Sequence, residues 1–466
     1  MIQTEVKGLE EALNHAIAVA KQKKKPQLLS FTYSVEKIDP VLFFENGQTI
    51  DVNRIFWTST TDEFCIAGIG EAYTLVSNER RFDSIEQSWK LMLDNTLTFN
   101  PFQTAGTGPI VFGGFSFDPK KRKTDLWEHY ADSMFRVPSF LLTNYNGFSY
   151  LTVNVLVRPE DHAGQLHHDF MNKKSLLFKG NSDMLNRNNT KILSKHEVNP
   201  DSWKKLVSKA TNEIKVGYAS KIVLAREMNV TFDSPVNIGA ILRDLMRIQT
   251  NSYIFAFENG QDCFLGASPE RLVKVDHQQL LSTCLAGTAP RGKTNEEDKQ
   301  IGRQLLNDTK NREEHDFVVK MIKDAVLEYC EQIEVPEQPV LYPLKNLQHL
   351  YTPVKAKLKN DFTLFQVVKK LHPTPALGGF PQGKSLEFIR NYEELDRGWY
   401  GAPIGWVDAY QNGEFAVAIR SALIKQKTKA TLFAGCGVVK ESDPQSEYEE
   451  TNIKFAPMLS VLGGEV

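Results

Sequence analysis

The sequence predicts an α+β fold, and two patterns carry that expectation. Short alternating or aromatic runs broken by glycine, such as residues 108–118 (GPIVFGGFSFD) and 148–157 (FSYLTVNVLV), read as strands of an antiparallel sheet. Beyond residue 200, strand-like runs at 221–227, 252–258 and 414–424 alternate with helical periodicity over roughly 202–216, 296–333, 385–396 and 447–462. The stretch 179–200 is polar and aperiodic, so the division falls there: 1–195 forms an N-terminal part and 200–466 a second region.

Composition excludes several classes of function. Lysine plus arginine number 55 and aspartate plus glutamate 57, so a net charge of −2 gives no electrostatic case for nucleic acid or an anionic membrane. No run of eighteen apolar residues occurs, and the first residues carry acids where a secretory signal needs positive charge. Five scattered cysteines without a CxxC pair suit reduced thiols, and a cytoplasmic location is expected. Residues 378–385 (GGFPQGKS) satisfy the phosphate-loop pattern, but His372 to Leu377 contains two prolines and makes a poor central strand. Pro381 also lacks an N–H for phosphate, so the nucleotide reading is rejected.

The acidic segment 446–454 (SEYEETNIK) raises the chemical question. Ser446 and Glu449 have capping-box spacing, and acids suit a helix start. Glu447 and Glu450, three apart, share a face despite their repulsion, which a cation between them would relieve. Glu314 lies four residues before Val318, in line with Met321, Ile322 and Ala325, whereas Glu313 points elsewhere. Glu314 therefore reads as a ligand or a paired group, and glutamates without histidine or thiol suit Mg²⁺.

Two further residues have two readings each. Lys221 shares a strand face with Val223 and Ala225; it is an edge guard or, if desolvated, a neutral general base. Arg420 shares a face with Ala416, Ala418 and Ala422 on a strand spanning 414–424, and fits a ligand carboxylate or a structural ion pair. Glu270 follows a proline turn at a strand entrance. The glycine-bearing turns at 284–292 and 433–438 are hairpin turns or anion contacts.

Together these segments resemble the chorismate-utilising enzymes, of the isochorismate synthase type. The matching pieces are SKIVLAR (220–226), GASPER (266–271), LAGT (285–288), NREEH (311–315), HPTPALGG (372–379), RGWYG (397–401), AIRS (418–421), AGCG (434–437) and EYEET (447–451). The N-terminal half matches less sharply, best at GGFSFD (113–118). The resemblance implies two packed antiparallel sheets flanked by helices, in one integrated unit. It implies that Lys221 activates water for attack at C2 of chorismate and that Glu270 protonates the hydroxyl leaving C4. Glu314 and Glu450 would hold Mg²⁺, with Glu447 near it through water. Arg420, Tyr400 and the Gly435 backbone would take the enolpyruvyl carboxylate, with Lys454 close by and Gly287 and Thr288 lining the pocket. Lys221 together with Ala286 argues for water rather than ammonia, so no glutaminase subunit is expected. The longer N-terminal part resembles menaquinone-pathway enzymes. Salicylate formation and a siderophore pathway remain the alternatives. Cys436 departs from the alanine usual between the two glycines.

Overall fold

The computed structural model describes residues 2–180, 190–344 and 347–463, without the side chains of 2–7. Two sheets account for the strands, of 13 and 10 members among the described residues. The pairing is antiparallel except where Gln27–Val35 runs parallel to Thr96–Phe99. Both sheets draw strands from either side of residue 190: Arg54–Ser59 pairs with Tyr253–Asn259 in the larger, and Ile110–Phe115 with Pro403–Asp408 in the smaller. Residues 181–189 lie outside the described residues, but Ile192–Glu197, expected to be connection, forms an edge strand on Lys221–Phe232.

Alternation decides which side chains go where. Along Tyr253–Asn259, Tyr253, Phe255 and Phe257 enter the layer between the sheets, while Ile254 and Ala256 face the helices outside. The inter-sheet layer is aromatic. Trp57, Phe112, Phe264, Trp399 and Trp406 fill it, and apolar clusters on the outer faces seat the helices. Such strands are buried on both faces, which explains continuous apolar runs like FCIAGI at Phe64–Ile69.

Two of the expected elements are broken. The expected helix over 296–333 is two helices, Asn295–Asn307 and Thr309–Val326, followed by the strand Cys330–Glu334. Asp308 ends the first and caps the second by accepting from Asn311 N. The expected strand over 414–424 is also two, Gly413–Val417 in the smaller sheet and Ser421–Lys425 in the larger. Arg420 lies in the crossover with φ +50°, so it does not share one face with the three alanines. Ala416 and Ala418 belong to the inter-sheet layer and Ala422 to the outer core.

A second crossover runs beside the first. Asp262–Ser268 lies in the larger sheet and Arg271–Asp276 in the smaller, with Pro269 and Glu270 between them. The crossovers bind each other: Ala267 N donates to Arg420 O at 3.0 Å and Val417 N to Glu270 O at 3.0 Å. Ser268 Oγ donates to Val417 O at 2.6 Å and accepts from Glu270 N at 3.2 Å. Gly266 is required there, because a Cβ would stand 2.9 Å from Arg420 O.

The expected helices at 202–216 and 447–462 occur as Pro200–Lys215 and Pro444–Val461. The helix expected at 385–396 ends at Tyr392, where Glu393 leaves the axis to pair with Arg397. The phosphate-loop pattern lies on Pro375–Gly378, Gly379–Phe380 and the start of Gln382–Tyr392, after the helix Leu364–Leu371 rather than a strand. Ser268→Ala removes two hydrogen bonds at the junction of the crossovers and should lower unfolding free energy by ~1–3 kcal/mol in urea titration.

Candidate active site

The paired crossovers open onto a cavity of about 410 Å³. Every residue expected at the site except Glu447 lines it: Lys221, Glu270, Gly287, Thr288, Glu314, Tyr400, Arg420, Gly435, Glu450 and Lys454.

Lys221 opens the strand Lys221–Phe232, with Val223 and Ala225 beside it on the cavity face as alternation requires. Its neighbour Lys429–Val438 places Gly437 opposite Val223 and Gly435 opposite Ala225. A Cβ on Gly437 would come within 2.5 Å of Lys221 Cε, so glycine makes the space that the lysine stem occupies. Lys221 Nζ donates to Glu314 at 2.5 Å. Glu314 reaches it from the helix Thr309–Val326, while Glu313 is exposed. The next residue, His315, is fully buried and fastens this helix through Ala286 O at 3.1 Å and Thr352 Oγ1 at 2.7 Å.

Glu270 has an altered proton affinity. Desolvation pushes its carboxyl up to about 7, against the pull of Lys221, Arg420 and Lys454. The acid is therefore about half protonated at neutrality and increasingly so below it. Arg420 makes no side-chain hydrogen bond or ion pair with any described residue, although burial works against its charge. An unmatched guanidinium facing a cavity is a receptor for an anion. Tyr400 stands nearby, stacked on Phe433 with centroids 5.1 Å apart, and its hydroxyl lies 3.2 Å from where a Gly435 Cβ would be.

The acidic helix is arranged differently from the expectation. Asp443, not Ser446, caps Pro444–Val461, accepting from Ser446 N at 2.8 Å, and Glu449 bonds to Gln445. Glu450 pairs with Lys454 one turn on, and Lys454 also donates to Gly435 O at 2.8 Å. Glu447 turns aside to accept from Ser442 Oγ at 2.6 Å, and desolvation raises its carboxyl. The i,i+4 spacing of Glu450 and Lys454 is the signal that sequence reasoning passed over.

Among the described residues, no three carboxylate, imidazole or thiol groups gather into a ready ion cage. Glu314 and Glu450 nevertheless bring oxygen donors to one cavity. That donor set suits Mg²⁺, which takes one or two carboxylates and keeps waters or substrate oxygens in its other positions.

Three lining residues escaped the sequence analysis. His349 stands opposite Thr288, on a strand pair with a bulge at Gly287, and shares a 2.9 Å hydrogen bond with the threonine hydroxyl. Burial, with Arg420 and Lys454 nearby, lowers its pKa to about 4, so the imidazole is neutral. Only strand register reveals it. Asn311 lies one turn before Glu314 on the same helix. Arg397 is buried, doubly bonded to Glu393, and donates to Val223 O at 2.8 Å and Leu377 O at 3.2 Å, tying the Lys221 strand to the segment before Gly378.

Residues 11–463 match the family described as chorismate binding enzyme. The chain belongs to that family. The isochorismate synthase MenF of Bacillus subtilis is 41% identical over the whole of both chains. The salicylate biosynthesis isochorismate synthase of Pseudomonas aeruginosa is 32% identical, over 98% of this chain and 95% of that one. The structure of MenF from Escherichia coli, described as a menaquinone-specific isochorismate synthase, superimposes with a TM-score of 0.77 over 97% of this chain and 100% of that one. At 23% identity, that likeness speaks for the fold: two packed sheets flanked by helices.

Within this family member, Glu270 imposes a pH-dependent cost. Its folded-state value of about 7 lies above the ordinary 4.5, so the folded chain holds a proton that the unfolded chain releases. The group's contribution to stability is present below 4.5 and declines as pH rises through 7. Glu270→Gln should therefore be more stable than the parent at pH 8 by ~1–3 kcal/mol, with the gap closing towards pH 4.5 in denaturant titrations.

Proposed function

We propose that this chain is a Mg²⁺-dependent isochorismate synthase that converts chorismate to isochorismate in the cytoplasm, for menaquinone biosynthesis. The carrying observation is that one cavity presents an amine at Lys221, a carboxyl at Glu270 whose proton affinity desolvation raises, and a guanidinium at Arg420 with no side-chain hydrogen bond among the described residues. An amine and a carboxyl facing one cavity suit an exchange of hydroxyl positions on a small anionic ring.

The chemistry balances within the site. Lys221 Nζ takes a proton from a water whose oxygen bonds to C2; two ring double bonds shift; the C4–O bond breaks and Glu270 gives its proton to the leaving hydroxyl. One water enters and one leaves. Lys221 is paired with Glu314 at 2.5 Å; between turnovers the lysine releases its proton to solvent water and Glu270 takes one up, which restores both groups. Arg420 and Tyr400, with the Gly435 backbone and Lys454 beside them, receive the enolpyruvyl carboxylate. Gly287 shapes the opposite wall through its bulge, where φ is +76°, and Thr288 is held there by His349. Glu314 and Glu450 would hold the ion, with Glu447 one turn before Glu450 on the same helix, and bound Mg²⁺ would supply positive charge for the ring carboxylate.

Support for water as nucleophile comes from Lys221 and Ala286 lining the same cavity. The full-length likeness to the isochorismate synthase MenF of Bacillus subtilis supports the pathway. No described helix is long and apolar enough to cross a membrane.

The test is incubation with chorismate and Mg²⁺, with and without ammonium and without any second subunit, followed by chromatographic separation of products. Isochorismate alone is expected in both arms. Anthranilate in the ammonium arm would replace water by ammonia as nucleophile, and salicylate would favour the lyase reading. Lys221→Ala and Glu270→Ala should each lower kcat by about 10²–10⁴-fold while circular dichroism stays unchanged.

A further inference from the structure

Phe317 and Phe380 are large rings left partly in solvent, at 36% and 38% exposure, and the proposed chemistry assigns them no role. Their centroids lie 4.4 Å apart with the planes at 64°, an edge-to-face contact. Their positions in the fold give that contact its meaning. Phe317 is three residues beyond Glu314 on Thr309–Val326, hence on the same helix face. Phe380, in the two-residue strand Gly379–Phe380, stands directly opposite Lys221 in antiparallel register, hence on the same sheet face. The helix thus meets this strand pair through two contacts: Glu314 to Lys221 within the cavity, and Phe317 to Phe380 outside its lining.

The Phe380 side of this contact is firmly held. Ser220 N donates to Phe380 O at 2.8 Å and Ser385 Oγ to Lys221 O at 2.8 Å. A Cβ on Gly379 would meet Lys221 O at 2.3 Å, so the two backbones can approach this closely only with glycine there. On the helix side, His315 fastens the helix to Ala286 O and Thr352 Oγ1 and Val318 and Ile322 are buried in the core, while Phe317 makes its ring contact with the Phe380 strand.

We infer that Phe317 and Phe380 are positioning residues that register the Glu314 helix over the Lys221 amine through their ring contact. The inference rests on the proposed role of Lys221 as base. A displacement near 1 Å at a reacting group costs on the order of 10²-fold in rate, so loosening this contact should act on turnover more than on substrate capture.

The experiment compares Phe317→Ala, Phe380→Ala, the double variant and Phe317→Tyr with the parent, measuring kcat, KM for chorismate and the acylation rate of Lys221 by mass spectrometry without substrate or metal. Each alanine variant should lose about tenfold or more in kcat with KM within about threefold, and Lys221 should acylate several-fold faster while Lys454 does not change. The double variant should lose no more than either single one, and Phe317→Tyr should return kcat to within about twofold of the parent. Unchanged kcat and Lys221 reactivity in Phe317→Ala would overturn the inference, as would multiplying losses in the double variant or failure of the tyrosine to rescue. If Phe317→Ala does not fold, Phe317→Leu keeps apolar bulk without the ring; it should show the same pattern at smaller size, and full activity with unchanged Lys221 reactivity would overturn the inference. If the parent forms no isochorismate, the proposed reaction fails, and Lys221 acylation still decides the ring contact.

Discussion

The site depends on two chain segments that leave one sheet for the other side by side and bind each other as they cross. Pro269 cannot extend a ladder because it lacks an N–H, and Arg420 turns out of one through its left-handed backbone. The carbonyls of Arg420 and Glu270 each find a donor on the opposite segment: Ala267 N bonds to Arg420 O and Val417 N to Glu270 O. With their backbones satisfied across the gap, Glu270 and Arg420 present their side chains to the cavity. An uninterrupted strand at either place would have put these residues into the regular in-and-out alternation of a sheet.

Electrostatics follows from that placement. Glu314 has Lys221, Glu450 has Lys454, and Glu393 has Arg397, so each of these acids near the cavity has a cationic partner. Glu270 lacks one at hydrogen-bond distance and has its proton affinity raised by desolvation; Arg420 has no carboxylate at ion-pair distance among the described residues. The unmatched positive charge and the carboxyl of raised proton affinity lie on neighbouring crossovers. That is the chemical asymmetry a small dianion with a hydroxyl leaving group would need.

Much of this was legible in the sequence, for reasons that can be named. Alternation placed Lys221, Val223 and Ala225 on one face, and helical periodicity separated Glu314 from Glu313, because both depend only on local geometry. What depends on distant chain was not legible. The run 414–424 has unbroken strand propensity, and only the neighbouring crossover explains why it divides at Arg420. The helical pattern over 296–333 continues through Asp308, which instead caps a second helix. Ser446 and Glu449 satisfy a capping pattern, but Asp443 lies before Pro444, a residue suited to the first helical turn, and takes the cap. His349 enters the site solely because it falls opposite Thr288 in a register shifted by the bulge at Gly287.

The central claim, that an amine and a protonated acid exchange hydroxyls on a ring held by Arg420, is tested most directly with oxygen-18 water. Chorismate turned over in H₂¹⁸O should yield isochorismate with one heavy oxygen, at the C2 hydroxyl. Product free of label would mean that the hydroxyl migrates within the substrate, and the arrangement of Lys221 and Glu270 would then need another explanation.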